Sequence, residues 1–554
     1  MAEASATYQF APHERPFMPG SPATPDHPLP RRIAYAVIGL FVALTAGMSN
    51  GLLLANLPQI QGALGITQAE GAWLTGAYAM TNICTGFVLI KVRQQFGLQR
   101  IVRIFLLAFV VLSALQMFAH SFGSELMVRA AAGVIAGGFT PLGFFYIMQA
   151  LPRKARMAGF IIGLGVSQLA LPLSRAISPA LLGNGDIQVL AIFEFGLALI
   201  CYAAITLLPL PPSERAKVFE PLDFLTLALF VPGMALLTAA LVQGRVVWWS
   251  SAWIGYAFAA ASVLIGIAML IEHNRANPML NTRWMGSSAI VRFAVAAAAM
   301  RILLSEQNYG AVGLLSVVGM GQDQLVALFW IITAASAVGL VVSVVRLNPQ
   351  DLLRPVLVSI ALITVAAFMD SDASNLTRPA QLYFSQALIA FAAIYFIGPT
   401  MMSGVLRAIS KGPSHMVSFS AVFGISQALG GLVGTALLGT YQYARAQFHL
   451  SVLGQSITLA DPQVAVRVRQ LGGAYARTIT DPALQQAQGT ALLNQQAVRE
   501  ANILAYNDVF FLVGLIGVAV LVWLGGRWLY YRWKGINPLG AELAAMQAMM
   551  AGRQ

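Results

Sequence analysis

Five ionisable side chains lie deep inside long apolar segments of the chain. They are Arg129, Arg175, Glu194, Arg301 and Glu306. A charge at the centre of a lipid bilayer costs about 2.5–3.5 kcal/mol even on the mildest scale, so such residues are rare there. Each is therefore a candidate for a site that binds a proton or a charged ligand.

Glu306 is the first candidate for proton binding, and Glu194 is the second. On a regular helix Glu306 lies about 140° from Arg301, so a close ion pair within that helix is unfavourable. Glu306 therefore needs a partner on another helix, or a proton. A buried carboxyl group that exchanges a proton is the basis of proton coupling. The alternative is a neutral carboxyl group that only hydrogen-bonds a neighbouring helix.

The composition around these residues indicates a membrane protein. Of the 554 residues, 58% are hydrophobic and 10% are charged, against about 25% charged in an ordinary soluble domain. This composition argues against a soluble enzyme, a disordered protein or a nucleic-acid-binding protein. The two cysteines, Cys84 and Cys201, lie inside apolar runs, so no disulfide framework is expected.

The apolar residues form fourteen segments long enough to span a bilayer as helices. Runs of this length are exceptional for strands, which favours an all-α membrane protein. We number these segments as spans 1 to 14. They cover about 33–57, 71–90, 101–119, 126–149, 157–182, 188–209, 223–242, 252–271, 289–317, 324–345, 355–369, 379–404, 415–440 and 507–526.

The positions of lysine and arginine predict the orientation. With a cytoplasmic N-terminus, the inside loops and tails hold 22 of these residues, including Lys91 and Arg93 after span 2. The short outside loops hold two, Arg245 and Arg378. This asymmetry follows the positive-inside rule. It places both termini in the cytoplasm, and so requires an even number of spans.

Three of the buried charges are predicted at a similar depth in the N-terminal spans. Arg129 lies 22 residues before the turn at 151 that joins spans 4 and 5, and Arg175 lies about as far after it. Glu194 and Arg175 lie at similar distances from the turn near 185. Glu194 is therefore expected to pair with Arg175 or Arg129. The alternatives are a structural ion pair, or a pair for which a proton or an anionic substrate competes.

Other polar residues are candidates for a substrate cavity. Arg301, Ser305 and Asn308 share a face of a regular helix in span 9. Gln168 and Gln427 either line a central cavity or hydrogen-bond between helices. Four arginines in the spans, counting Arg292 at the rim, face two acids. This excess favours anionic substrates, unless backbone carbonyls neutralise the arginines.

Two regions of the sequence resemble each other. Residues 165–168 read Gly-Val-Ser-Gln and residues 424–427 read Gly-Ile-Ser-Gln, 259 positions apart. Pro141 and Pro399, in the preceding spans, are 258 apart. Basic turns with prolines, at 152–154 and 411–413, follow them. Spans 1–6 and 9–14 therefore look like two copies of one six-helix unit, which is a transporter architecture with its substrate site between the halves.

This repeat predicts the organisation of the domains. We expect a disordered, proline-rich cytoplasmic tail at 1–30 and a cytoplasmic tail at 535–554. Between them lie a six-helix bundle at 31–210, two inserted helices at 211–285 and a second bundle at 286–534. A long outside loop at 441–506 belongs to the second bundle. Asp461 and Asp481, each followed by proline, are predicted helix N-caps there, and the last of its short amphipathic helices is expected to run into span 14.

The chain resembles the major facilitator superfamily, and within it the fourteen-span drug:proton antiporters of the EmrB/QacA type. The motifs that carry this resemblance are Arg129-x-x-x-Gly133-x-x-x-Gly137-Gly138 in span 4, residues 221–224 (Pro-Leu-Asp-Phe) and Glu272-x-x-x-x-Asn277-Pro278-Met279. The long outside loop, which ends at residues 505–510, is similar to that of the EmrB branch. The resemblance implies a major facilitator fold of two six-helix bundles with two inserted helices.

Three motifs depart from the family pattern. The family has an acidic residue near the position of Ser49, which is serine here. The loop after span 2, residues 91–97, lacks the usual acid. The Gly-Pro of the span-5 antiporter motif is replaced around Pro172 and Arg175.

The resemblance implies a proton-driven exporter of small amphipathic drugs or toxic compounds, multi-pass in the bacterial inner membrane. Glu306 and Glu194 are its expected proton-coupling residues. A periplasmic membrane-fusion adaptor and an outer-membrane channel are expected partners. The alternative is a specialised exporter of a siderophore or an aromatic or organic acid. We find no phosphate-binding loop and no metal-ligand spacing among the six histidines, so we expect no enzyme activity, no metal and no cofactor beyond the proton gradient.

Overall fold

The computed structural model describes residues 14, 16, 20–152, 155–156, 158–183, 185–412 and 415–551. In this part of the chain the regular elements are helices, and fourteen of them are long and apolar enough to cross a membrane. The predicted number of spans is confirmed. In order, the spans are Leu29–Ala55, Gln68–Phe96, Leu98–Gln116, Phe122–Ala150, Ala158–Leu181, Gln188–Leu207, Pro221–Gln243, Ala252–Asn274, Ser288–Val317, Gln322–Val345, Leu353–Asp370, Pro379–Ile409, His415–Ser456 and Pro482–Lys534.

The spans form two bundles whose hydrophobic cores meet at the interface between them. Spans 1, 3, 4, 5 and 6 pack around Phe139 and Tyr146, whereas spans 9 to 14 pack around Ile360, Phe396 and Val513, and residues of spans 1 and 5 join this second core. Spans 7 and 8 pack on each other, and span 7 also contacts spans 2 and 13. Spans 7 and 8 therefore pack against both bundles through span 7. The predicted all-α fold class is confirmed.

Because the number of spans is even, the start of span 1 and the end of span 14 lie on one face of the molecule. We call this the terminal face and the opposite one the distal face. Spans 4 and 12 run from the distal to the terminal face, and both contain an internal proline, Pro141 and Pro399. The basic turns predicted after them fall partly outside the described residues, at 153–154 and 413–414.

A helical extension projects from the distal face. It comprises residues 441–506, and its short helix Pro462–Gly473 packs on the start of the span-14 helix. The span-14 helix has 53 residues, or about 80 Å, against about 30 Å for the bilayer hydrocarbon. Asp461 and Asp481 cap their helices as predicted. Instead of starting with a short helix, the extension begins with the span-13 helix itself, which continues to Ser456.

The prediction of a disordered tail does not hold for residues 20–28. Ser21 and Ala23 are buried against the terminal face. The backbone nitrogen of Ala23 donates to the carbonyl of Pro212 at 2.9 Å, and the side chain of Gln149 donates to the carbonyl of Ala23 at 2.8 Å. The bundle therefore satisfies backbone groups that this proline-rich segment cannot pair internally. Residues 1–13, 15 and 17–19 lie outside the described part of the chain.

Span 5 breaks at Leu169, between the helices Ala158–Gln168 and Ala170–Leu181. Pro172 has no backbone N–H, so the carbonyl of Gln168 receives no helical hydrogen bond from it. The departure from the family motif at this point therefore places a break in the middle of the span.

A buried ion network ties span 2 to spans 7 and 8 at the terminal face. Asp223 accepts from Lys91 at 2.7 Å and from Arg275 at 2.8 Å, and Arg275 also contacts Glu272 at 2.7 Å and Glu220 at 2.9 Å. The hydrogen bond from Arg275 holds the pKa of partly exposed Glu220 below its usual range. Lys91 was predicted in a loop but lies in the span-2 helix. The loop motif lacks its usual acid, and Lys91 pairs with Asp223 of span 7 instead.

Candidate functional site

Two buried carboxyl groups share one amide in the C-terminal bundle. The Nε2 atom of Gln386 donates to Glu306 Oε1 at 3.1 Å and to Asp370 Oδ2 at 2.8 Å. Glu306 and Gln386 are 0% exposed and Asp370 is 3% exposed. None of the ion pairs found among the described residues involves either acid. The group, which we call the acid pair, joins spans 9, 11 and 12 without a neutralising cation.

Glu306 begins a π-helical segment in the middle of span 9. The segment covers Glu306–Ala311 and interrupts the α-helix between Ser305 and Val312. Such segments are rare and occur often at functional sites. Gly310 lies against the ring of Phe510 in span 14, where a side chain would clash. The acid therefore sits at a local irregularity packed directly against a neighbouring span.

The π-helical segment changes which side chains share a face of span 9. Arg301 lies beside Gly431 and Ser305 lies against Gly434, so both face span 13. Tyr309, whose hydroxyl donates to Gln442 at 3.4 Å, continues this face. Asn308 is exposed instead. The predicted face of Arg301, Ser305 and Asn308 is therefore wrong at its last member, because the wider turn delays the return to that side.

A second polar cavity lies in the distal half of the N-terminal bundle. It has a volume of about 260 Å³ and is lined by Glu125, Arg129 and Glu194. Arg129 Nε donates to Glu125 Oε1 at 2.7 Å, and Arg129 Nη1 donates to the carbonyl of Ser49 at 3.4 Å. Glu125, which lies one turn away on the same helix, thus supplies a negative charge where the family's acid near Ser49 is missing.

The predicted pairing of Glu194 is only partly consistent with this geometry. Glu194 lines the cavity of Arg129, but the ion pair of Arg129 is with Glu125. Arg175 lies elsewhere, with its guanidinium 5.1 Å from the ring centre of Phe329 in span 10. A pair between Glu194 and Arg175 is therefore wrong. Similar depths in the bundle do not bring Glu194 and Arg175 together, because the rotation of each helix decides which neighbour its side chain contacts.

The contact of Arg175 with Phe329 belongs to the closed distal half of the interface between the bundles. Nearby, the side chain of Gln322 at the start of span 10 donates to the carbonyl of Ala55 and to Gln59. Gly165 of span 5 lies against Leu340 of span 10 close to the midplane. Span 10 therefore closes the distal side against spans 1 and 5.

A central cavity lies between the bundles in the terminal half. Its volume is about 240 Å³, and it extends from Gly137 and Ala428 near the midplane to Arg93 and Met416 near the terminal face. Spans 2, 4, 5, 12 and 13 contribute to its walls. Six phenylalanines line it: Phe87, Phe144, Phe145, Phe160, Phe419 and Phe423.

Arg93 is the charged group on the wall of the central cavity. Its guanidinium lies 5.0 Å from the ring centre of Phe145, and its Nε atom is buried without a hydrogen-bond partner. The described residues contain no ion pair to Arg93. The sequence placed Arg93 in a loop, whereas the span-2 helix continues to Phe96 and carries Arg93 into the protein.

The two repeat-related glutamines have different surroundings. Gln427 donates to the carbonyl of Ala297 in span 9 at 3.5 Å, which fits the role of joining helices. Gln168 is exposed and lies one turn beyond Leu164, which lines the central cavity. Gln168 is therefore the better placed of the two for contact with a ligand.

The spanning helices contain more charged groups of both signs than the sequence predicted. Glu125 and Asp370 add two acids to Glu194 and Glu306, while Lys91 and Arg93 add two bases to the four arginines, so the predicted excess of positive charge stays a prediction. The sequence missed Asp370 because it lies at the end of an apolar run, and missed Gln386 because a lone glutamine carries no charge signal. An acid at the distal end of span 11 was the available clue.

Comparison with known proteins agrees with this architecture. The profile of the Major Facilitator Superfamily matches residues 39–435, well over half of the chain. The chain belongs to the Major Facilitator Superfamily. The predicted family is therefore confirmed, and the protein is a multi-pass membrane transporter and not an enzyme.

Two curated relatives are exporters or resistance proteins by name. The multidrug export protein EmrB of Haemophilus influenzae is 25% identical over 507 residues, which cover 88% of this chain and 95% of EmrB. The fatty acid resistance protein FarB of Neisseria gonorrhoeae is 26% identical over 260 residues, which cover 44% of this chain and 48% of FarB.

Solved transporter structures share the fold. The human organic anion transporter MFSD10 superimposes with a TM-score of 0.52 at 15% identity, covering 89% of this chain and all of MFSD10. A POT family transporter in complex with 5-aminolevulinic acid gives 0.54 at 12% identity, covering 89% and 96%. These similarities concern the fold alone.

Proposed function

We propose that this superfamily member is a proton-driven exporter of small amphipathic compounds across the bacterial inner membrane. The terminal face, which carries most of the basic residues, lies in the cytoplasm in this proposal. The names of EmrB and FarB support export. The observation that carries proton coupling is the acid pair, Glu306 and Asp370 around Gln386.

The surroundings of the acid pair favour the uptake of a proton. Two carboxylates in an apolar interior repel each other and lose their hydration, and no described cation repays this cost. One added proton removes the repulsion. The Oε1 atom of Gln386 is buried without a hydrogen-bond partner. A bound proton would therefore change the hydrogen bonds that hold span 9 to spans 11 and 12.

Alternating access links this change to transport. In the structure the distal half is closed by span 10, and the central cavity lies in the terminal half. Protonation of the acid pair from the periplasm would accompany release of the substrate, and deprotonation to the cytoplasm would reset the transporter. The cavity of Glu125, Arg129 and Glu194 is a second place for proton exchange. There the proton would compete with an ion pair, whereas Glu306 has an amide partner.

The walls of the central cavity fit an amphipathic substrate. Six phenylalanine rings favour apolar or aromatic groups, and Arg93 provides one positive charge. Arg93 is the specific observation that supports the alternative, an exporter of organic acids. The name of FarB points in the same direction.

We further propose that the helical extension docks a periplasmic membrane-fusion adaptor that continues to an outer-membrane channel. This proposal rests on the resemblance to the EmrB branch and on the projecting helices. The extension reaches tens of ångströms past the bilayer, far enough to present a surface to a periplasmic partner.

Substrate profiling in a pump-deficient host tests the function. Cationic dyes and organic anions are supplied to cells that express the protein with or without a candidate adaptor. We expect reduced accumulation of at least one class, abolished by dissipating the proton gradient. Accumulation that no probe changes, or that survives loss of the gradient, would contradict a proton-driven exporter.

A further inference from the structure

A further cavity is separate from the central cavity and from the acid pair. It has a volume of about 500 Å³ and lies inside the C-terminal bundle at the terminal face. Spans 9, 11, 12 and 14 form its walls, together with the start of the last helix, Gly540–Ala551. This cavity has no role in the proposed transport cycle.

Four arginines surround this cavity. They are Arg292, Arg407, Arg527 and Arg532, against two acids, Asp351 and Glu542. None of the ion pairs found among the described residues involves these arginines. Arg407 Nη1 donates to the carbonyl of Ala289 at 3.3 Å. The lining therefore carries a net charge of two positive units, which favours an anion.

The deeper wall of the cavity is mostly apolar. Phe293, Ala296, Val356, Phe396 and Leu524 form it. The cavity thus has a basic rim and an apolar interior. This arrangement fits a ligand with an anionic headgroup and a hydrocarbon chain.

One polar group in the deep wall lacks a partner. Thr400 is 6% exposed, and its Oγ1 atom has no hydrogen bond. It lies about 10 Å along the span-12 helix from Arg407. Because this oxygen is itself buried, a ligand would reach it only after the neighbouring side chains move.

The position of the cavity favours a lipid as the source of the anion. Trp528 and Tyr531 line it, and Trp533 on the same helix is highly exposed. Tryptophan and tyrosine concentrate at the level of lipid headgroups. Basic pockets between spanning helices on the cytoplasmic side are suited to acidic headgroups.

We propose that this cavity binds an acidic phospholipid, with its phosphate among Arg292, Arg407 and Arg527 and an acyl chain against Phe293 and Phe396. Bound there, the lipid joins spans 9, 12 and 14 at the terminal face. A phospholipid headgroup and free inorganic phosphate both present a phosphate anion, and the experiment below distinguishes between these two ligands.

Native mass spectrometry of the full-length protein in detergent tests this site. Phosphatidylglycerol and phosphatidylethanolamine of equal chain length are titrated, with inorganic phosphate as a competitor. We expect phosphatidylglycerol to bind at least tenfold more tightly. In the double variant Arg292→Gln and Arg407→Gln, this preference should fall at least fivefold. The matched control is Arg100→Gln with Arg103→Gln, which removes two exposed arginines of span 3 outside the cavity.

A second variant keeps the proposal testable if the arginine variant does not fold. Ser403→Trp fills the cavity and leaves all four arginines in place. It should abolish the tight site. Inorganic phosphate that displaces the lipid completely at millimolar concentration would overturn the lipid assignment. Equal affinity for both lipids, or tight binding that survives both variants, would overturn the site itself.

Discussion

Glu306 and Asp370 come from different spans and accept hydrogen bonds from the same nitrogen atom, Nε2 of Gln386, at 3.1 Å and 2.8 Å. The amide nitrogen carries two hydrogens, one for each carboxyl group. No described cation shares the site. The group is therefore balanced by a proton more readily than by an ion pair, which distinguishes it from the cavity of Arg129.

Removing the shared donor should destabilise the protein. Gln386→Leu leaves two buried carboxyl groups without their common partner, and each unsatisfied buried polar group costs about 1–3 kcal/mol. We expect a lower midpoint of thermal unfolding in detergent. Glu306→Gln added to Gln386→Leu should restore part of the loss, because one carboxyl group is removed. The control is Gln463→Leu at an exposed glutamine, and equal midpoints for the two leucine variants would contradict the account.

The ion network at the terminal face should contribute to stability. Asp223→Ala removes the carboxylate that Lys91 and Arg275 share, and breaking a buried ion pair from one side costs about 3–5 kcal/mol. Chemical or thermal unfolding in detergent measures this loss.

Glu220→Gln provides the comparison for Asp223→Ala at the exposed end of the same network. It keeps the size of the side chain and removes an exposed charge, so the loss should be clearly smaller. Equal losses for the two variants would show that burial of Asp223 is not what makes the network important.

The fold could be read from the sequence, whereas the acid pair could not. The length of the apolar runs and their charged ends determine how many helices span the membrane, so fourteen spans followed directly. The partner of Glu306 depends on how three helices are rotated against each other, and this is not encoded in spacing along one helix. The π-helical segment likewise has no recognisable pattern in the sequence.

The family resemblance indicated several charged residues, but only the structure shows which groups they contact. The motifs around Asp223 and Glu272 were typical of the family, but their spacing did not show that both contact Arg275. Arg93 was misplaced for a related reason. A charged residue near the end of an apolar run can belong to a loop or to one more helical turn, and only packing decides between them.

The helical extension should depend on close packing between its helices. A side chain at Gly489 would make its Cβ clash with the carbonyl oxygen of Val468. Gly489→Leu should therefore separate the helix Pro462–Gly473 from span 14 and accelerate proteolysis of the extension. Transport in vesicles should persist, while adaptor-dependent resistance in cells falls. Gly454→Leu, at a glycine with nothing within 4 Å, is the control.

One result would contradict the proposed role of the extension. If Gly489→Leu resists protease as Gly454→Leu does and retains full adaptor-dependent resistance, the packed extension is not required for docking.

Arg93 should influence which substrates are accepted. Arg93→Gln removes the positive charge from the wall of the central cavity, so transport of organic anions should fall about tenfold or more relative to transport of a cationic dye. Arg100→Gln, at an exposed arginine of span 3, should leave the ratio unchanged. Transport assays in vesicles with both probes provide the ratio. An unchanged ratio in Arg93→Gln would remove the argument for anionic substrates.

The most direct test measures proton movement during transport. Proteoliposomes with an internal pH-sensitive dye receive a transported substrate, and substrate-driven proton flux is recorded for the wild type, Glu306→Gln, Asp370→Asn and the control Asp323→Asn, whose carboxylate is exposed on the distal face. We expect the two acid-pair variants to bind substrate but to lose at least nine-tenths of the coupled proton flux, while Asp323→Asn retains it. Full proton flux in both Glu306→Gln and Asp370→Asn would contradict the assignment of coupling to the acid pair.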